Sequence, residues 1–214
     1  MGTLSNLLRI ARGELGNTES PAGSNRTKYG KWFGLDGNPW CLMFIMWVFA
    51  QAGVKLPKRT ASCGDLMNAA KAAGCWVATG FRPGDVAIYD FSGKRKTTQH
   101  CGIVEMELPD YGVQAIEGNT SQGGGSQDNG GMVCRKTRAD KYIIGAVRPV
   151  FDPEKEEGAM TIYKTLSDVP SYYKVAVQKA VNRDALKGTG GGEINVSEDL
   201  CRTLTVLDRL GKLD

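Results

Sequence analysis

Apolar residues recur at helical spacing through the first fifteen positions. Leu4, Leu7, Leu8, Ala11 and Leu15 share one face, and Gly16 ends the run. This pattern predicts a helix over residues 3–15. From Asn17 to Asn38 the period is lost. The stretch is rich in Gly, Ser and Asn and carries the aromatics Tyr29, Trp32 and Phe33. It reads as a long loop, and long loops in compact domains are often functional. Pro39 then opens an apolar segment that runs to Ala52 and stops at Gly53. Proline at the start and glycine past the end mark a helix, and apolar residues nearly all round make it a central, buried one. A further helix, Ser62–Ala73, is polar on one face and ends at Gly74.

After Gly74 the period changes to two. Arg82-Pro83-Gly84-Asp85 has proline and glycine in the order a type II turn requires, and it leads into a strand over Val86–Phe91. His100–Met106, Gly112–Ile116 (continuing through Asn119), Met132–Thr137 and Ile143–Arg148 complete five short strands. Ser121–Gly131 is glycine-rich and reads as a mobile loop. Helices first and antiparallel strands afterwards make an α+β layout. The tail differs. Tyr172–Leu186 predicts a helix with Asp168 or Ser171 as its cap, Lys187–Gly192 breaks it, and Ser197-Glu198 starts a second helix reaching Leu210. Two short helices make a very small core.

The chain is 214 residues long, the size of one domain or one domain plus a satellite. Its longest apolar run, Trp40 to Ala50, is 11 residues, against roughly 20 for a membrane-spanning helix, so membrane insertion is not expected. The first twenty residues lack the basic start and apolar block of a signal peptide; if the protein works outside a cell, another route exports it. Residues 1–150 hold 18 Lys/Arg against 12 Asp/Glu, while 151–214 hold 9 against 11. With no arginine-rich stripe and no nucleic-acid motif, the basic excess reads as weak steering toward an anionic polymer, and nucleic acid is not an expected partner. Asp152 to Glu157, acidic and ending at Gly158, marks a linker over residues 151–160.

Six cysteines occur, with no CxxC pair among them and only one histidine in the chain. Structural zinc sites ordinarily use closely spaced Cys or His pairs, so no metal is expected and the cysteines read mostly as small buried residues. A Cys63–Cys75 bridge stays open. Cys41 stands apart because it lies in the first turn of the apolar helix. Free backbone N–H groups and the positive end of the helix dipole favour a thiolate there, and the same groups can hold an oxyanion. A cysteine at a helix start is also a common core residue. His100, as the sole histidine, must serve any Cys/His chemistry, and Gly102 leaves space beside it. Glu117 and Asn119 alternate onto one face of the following strand. If that strand pairs with the one carrying His100, either residue could orient the imidazole. Nucleophile, base and orienter are then all present.

These residues sit in blocks that resemble the CHAP-domain peptidoglycan hydrolases. The blocks are Tyr29-Gly30-Lys31-Trp32-Phe33-Gly34, Pro39-Trp40-Cys41-Leu42-Met43-Phe44, Arg82-Pro83-Gly84-Asp85-Val86, Gln99-His100-Cys101-Gly102-Ile103-Val104, Ile116-Glu117-Gly118-Asn119-Thr120 and Ala146-Val147-Arg148-Pro149. They follow the family's order and cover roughly residues 1–150. The resemblance implies a papain-like α+β fold, with helices packed on a short antiparallel sheet. It implies Cys41 as nucleophile, His100 as base, Glu117 as the acid of the triad and Asn119 as an assisting amide. It further implies an amide-cleaving endolysin or autolysin that acts on bacterial peptidoglycan, and a phage enzyme released through membrane holes would fit the missing signal peptide. Some members carry a calcium loop of alternating aspartates before the nucleophile. Only Asp36 lies in that stretch here, so no calcium and no other cofactor is expected. Met46 stands where a small residue is frequent. The tail, Leu166 to Gly188, is loosely similar to one S-layer homology repeat, which makes 161–214 a candidate wall-binding helical module. The competing readings are another papain-like or NlpC-type cysteine hydrolase and a non-catalytic wall-binding protein with a buried Cys41.

Overall fold

The computed structural model describes residues 2–154, 161–187 and 191–213. The chain divides into two compact units, Met1–Glu154 and Lys155–Asp214. Residues 155–160, the larger part of the expected linker, and residues 188–190, within the expected tail break, lie outside the described residues.

In the first unit α1 (Leu4–Gly13) starts at Thr3, whose hydroxyl accepts from Asn6 N, and buries Leu7, Leu8 and Ala11. The expected long loop contains a helix of its own, α2 (Lys28–Phe33), capped by the Thr27 hydroxyl and ended by Gly34 at φ 92°. Six residues are too few for periodicity to reveal, but its caps are ordinary ones. The apolar helix α3 (Cys41–Ala52) begins two residues after Pro39 and ends on left-handed Gly53. It is apolar all round because it is packed all round, with α1 and α2 on one side and β3 and β4 on the other. Burying each of Leu42, Phe44, Ile45 and Phe49 is worth about 1.5–3 kcal/mol. Helix α4 (Cys63–Ala72) is capped by Ser62.

The strands are β1 (Trp76–Val77), β2 (Val86–Tyr89), β3 (His100–Leu108), β4 (Gly112–Thr120), β5 (Met132–Ala139) and β6 (Ile143–Val147). They form one antiparallel sheet in the order β1-β6-β2-β3-β4-β5. Strand β1 was not expected, since two residues carry no alternation. Gly84 has φ +85° and Asp85 N donates to Arg82 O at 3.1 Å, the type II geometry expected of Arg82–Asp85. Arg148 grips the Asp85 carboxylate through Nε and Nη2 at 3.1 and 2.7 Å. That pair ties the Pro-Gly-Asp turn to the end of β6. One face of the sheet, with Val86, Ile88, Cys101, Ile103 and Ile116, packs on the helices. The other face carries a smaller cluster built on Ala87, Tyr89, Val104, Val113 and Ala115.

The second unit holds α5 (Ser171–Asn182) and α6 (Glu198–Arg209), each preceded by one strand of a two-stranded antiparallel ribbon, β7 (Ile162–Tyr163) with β8 (Val196–Ser197), that the purely helical expectation lacked. Its core is Val169, Ala176, Val177, Ala180, Val196, Cys201 and Leu204. Pro170 is the N-cap of α5, and Asp168 bonds Thr165 instead. The Ser197 hydroxyl caps α6. No helix among the described residues is long and apolar enough to cross a membrane.

Candidate active site

Cys41 is the first residue of α3 and is buried. Hydroxyls cap α1, α2 and α4, whereas Trp40 at the N-cap of α3 offers no side-chain hydrogen bond. The N-terminal N–H groups of α3 therefore keep their capacity for an anion. Tyr29 sets the start of this helix. Its ring stacks on Trp40 at 5.3 Å between centroids and meets Phe44 edge-on at 5.2 Å. Its hydroxyl donates to Glu14 at 2.6 Å, which ties the arrangement to the end of α1.

His100 is the first residue of β3, opposite Tyr89 of β2. Its Nε2 lies 3.1 Å from Glu117 Oε2, and both side chains are fully buried. Nε2 is thereby occupied, and Nδ1, which has no hydrogen-bond partner, is the nitrogen left to serve the thiol. Glycine is required beside them: a Cβ on Gly102 would come 2.7 Å from Glu117 Cγ and 3.0 Å from the Tyr89 hydroxyl. The space expected next to His100 is the space Glu117 fills. The carboxylate is held from its far side by Arg138, whose Nε donates to Oε1 at 2.8 Å while Nη2 bonds Oε2. Arg138 also lies over the Phe91 ring, 4.7 Å from its centroid.

Charge follows from this chain of contacts. The Cys101 and Cys63 thiols, and then the nearby His100 ring, hold Cys41 well below the ordinary thiol range despite its burial. Burial opposes a charge on His100, yet the neighbouring Cys41 and the bonded Glu117 raise it to about 9. Burial likewise opposes the Glu117 charge and is outweighed by Arg138 and His100. These contacts bias Cys41 toward its thiolate, His100 toward imidazolium and Glu117 toward carboxylate, with the Arg138 guanidinium behind. Such a thiolate is a nucleophile, and the imidazolium beside it is an acid ready to protonate a leaving group.

Residues 33–119 match the CHAP domain family. No curated protein matches the chain. Among solved structures the chain is similar to the wild-type endolysin LysIME-EF1, at a TM-score of 0.46 and 18% identity over 92% of this chain and 90% of that one. The papain-like α+β arrangement implied by the sequence blocks is the arrangement of this unit.

Within the matched segment the two candidate orienters part company. The β4–β5 register shifts between Glu117 and Thr120, and Asn119 takes φ +57°. The strand alternation assumed from sequence fails there. Asn119 Nδ2 donates to Asn129 Oδ1 at 3.1 Å, and its Oδ1 accepts from Gly131 N at 3.2 Å. Its side chain thus ties down the Ser121–Gly131 loop, while Glu117 meets His100. Arg138 Nη1 holds the same loop by donating to Gln127 at 3.0 Å, so the segment expected to be mobile is tethered at two points. Gly118 lets β4 press on α3, since a Cβ there would come 2.6 Å from Phe44 Cβ. Asp36, the single aspartate in the region of the family's calcium loop, accepts from Thr27 N at 3.0 Å. All six cysteines are unbridged, and Cys63 lies with Cys41 and Cys101 rather than paired to Cys75.

Sequence reasoning missed Arg138 and the two thiols. Arg138 lies four residues from Cys134, the β5 partner of Glu117. Its place in an Arg-Lys-Thr-Arg run on a strand exposed in part made it look like a surface charge. Its one signal was a buried carboxylate that needs a cation.

Proposed function

We propose that this protein is an endolysin-type peptidoglycan hydrolase that cleaves an amide bond by thiol chemistry at Cys41. The observation that carries the reading is Cys41 at an uncapped helix start, together with a buried His100 ring held by Glu117, which Arg138 grips in turn. Match to the CHAP family supports peptidoglycan as the polymer, and the basic balance of residues 1–150 suits an anionic wall.

In the mechanism the thiolate attacks the amide carbonyl carbon, and the carbonyl electron pair moves to oxygen. Backbone N–H groups at the start of α3 hold that oxyanion. As the tetrahedral species collapses, His100 Nδ1 gives its proton to the leaving nitrogen and the amine departs, leaving a thioester on Cys41. Neutral His100 then takes a proton from water, the hydroxide adds to the thioester, and Cys41 leaves as thiolate beside the restored imidazolium. Glu117 orients the ring throughout, and its charge offsets the imidazolium. The bond cut is the N-acetylmuramoyl-L-alanine amide or an amide of the stem peptide or cross-bridge, all of which present the same carbonyl. Residues 161–214 form the wall-binding module that keeps the enzyme on Gram-positive walls.

The test is mass spectrometry of fragments released from purified Gram-positive walls by wild type beside Cys41→Ala. New amine and carboxyl ends from wild type alone are expected, and they name the bond. Equal release by Cys41→Ala would overturn the reading.

A further inference from the structure

Three sulfurs meet at the nucleophile. Cys41 opens α3, Cys63 opens α4, and Cys101 is the second residue of β3. They are 22 and 38 residues apart, and no spacing rule joins them. In the fold their Sγ atoms all lie within 4.8 Å of one another, and all three residues are buried.

We propose that Cys41, Cys63 and Cys101 bind one thiophilic d10 cation such as Zn2+, with a water as its fourth donor, and that its binding switches the hydrolase off. The geometry is close to what the ion needs. Three points no more than 4.8 Å apart always share a position within about 2.8 Å of each, and zinc–sulfur bonds are about 2.3 Å. Each sulfur has about 0.5 Å to travel, which small side-chain rotations supply. Three thiolates are a soft donor set that suits zinc, and a water fills the fourth position of a tetrahedral site with three protein ligands. Oxygen-seeking Ca2+ and Mg2+ find no carboxylate within it.

Binding displaces the thiol protons of Cys63 and Cys101 and takes the Cys41 sulfur as a thiolate. The bound state then lacks a free nucleophile. The inhibitory half of the proposal rests on Cys41 being the nucleophile; the binding half does not.

The experiment titrates the reduced, metal-free full chain with Co2+, then with Zn2+ in competition. One equivalent of Co2+ per chain should produce sulfur-to-metal charge-transfer absorption and the intense visible bands of a tetrahedral site, and Zn2+ should abolish both. Cys63→Ser and Cys101→Ser should each lose or reshape the spectrum, with the alanine variants standing in where a serine variant fails to fold. Cys75→Ser should leave it unchanged. On purified walls, Zn2+ should stop wild type at one equivalent, EDTA should restore it, and Cys63→Ser should need about tenfold more zinc. No charge-transfer band, or one unaltered in both serine variants, overturns the site. A normal cobalt spectrum with zinc-insensitive wall hydrolysis overturns the inhibitory role. An enzyme idle on walls without any metal counts against the hydrolase reading instead, and the cobalt spectrum still decides the site.

Discussion

Cys41→Ala is expected to leave the fold intact and to abolish wall hydrolysis, because it removes one buried sulfur and the thiol at the helix start that forms the thioester in the proposed mechanism. Glu117→Gln should cost more activity than Asn119→Ala, since Glu117 meets His100 and Asn119 holds a loop. Comparable kcat losses in the two variants would contradict that division. Arg138→Met leaves the Glu117 carboxylate buried without its cation, and removing one partner of a buried pair costs roughly 3–5 kcal/mol. A thermal melt close to that of wild type would refute this role. The pH dependence has a definite sign. Thiolate persists above the lowered pKa of Cys41, and the imidazolium persists below about 9. Rate should therefore fall on the acid side as Cys41 gains its proton and on the alkaline side as His100 loses its own. The apparent values belong to the pair. At this scale Cys41, His100 and Glu117 were legible in the sequence, because a helix start, a sole histidine and strand alternation constrain them locally. Arg138, Cys63 and Cys101 were not, because only the tertiary fold brings them to the site.

The elements explain why the glycines of the blocks cannot be exchanged. Gly118→Ala would force β4 away from Phe44 on α3, an overpacking that costs typically about 1–3 kcal/mol. Gly102→Ala would push its methyl into Glu117 Cγ and tilt the carboxylate off His100. This variant should fold, lose most of its kcat and lose the alkaline-side reach of its pH profile. Unchanged kcat would show that Glu117 has room the structure denies it. The long elements, α1, α3, α4 and β2 to β6, were readable from period because each buries one face or all of itself. Helix α2 and strand β1 are too short to show a period. The bulge at Asn119 is set by the β4–β5 pairing, which alternation along a single strand does not report.

Across the whole molecule, the two compact units suit a division of labour between cutting and holding. A chain ended after residue 154 should still cut soluble wall fragments but sediment poorly with intact walls. Equal sedimentation would remove the binding role from residues 161–214. The change of charge sign after residue 150 made this division legible in composition. The β7–β8 ribbon was not, since each of its strands has two residues.

The most direct test of the central claim is the rate of Cys41 alkylation by iodoacetamide as a function of pH, read by peptide mapping in wild type and in His100→Ala. The account expects wild-type Cys41 to react as a thiolate well below the ordinary thiol range and His100→Ala to shift that onset upward. A wild-type Cys41 that reacts only near the pKa of a free cysteine, unchanged by loss of His100, would contradict it.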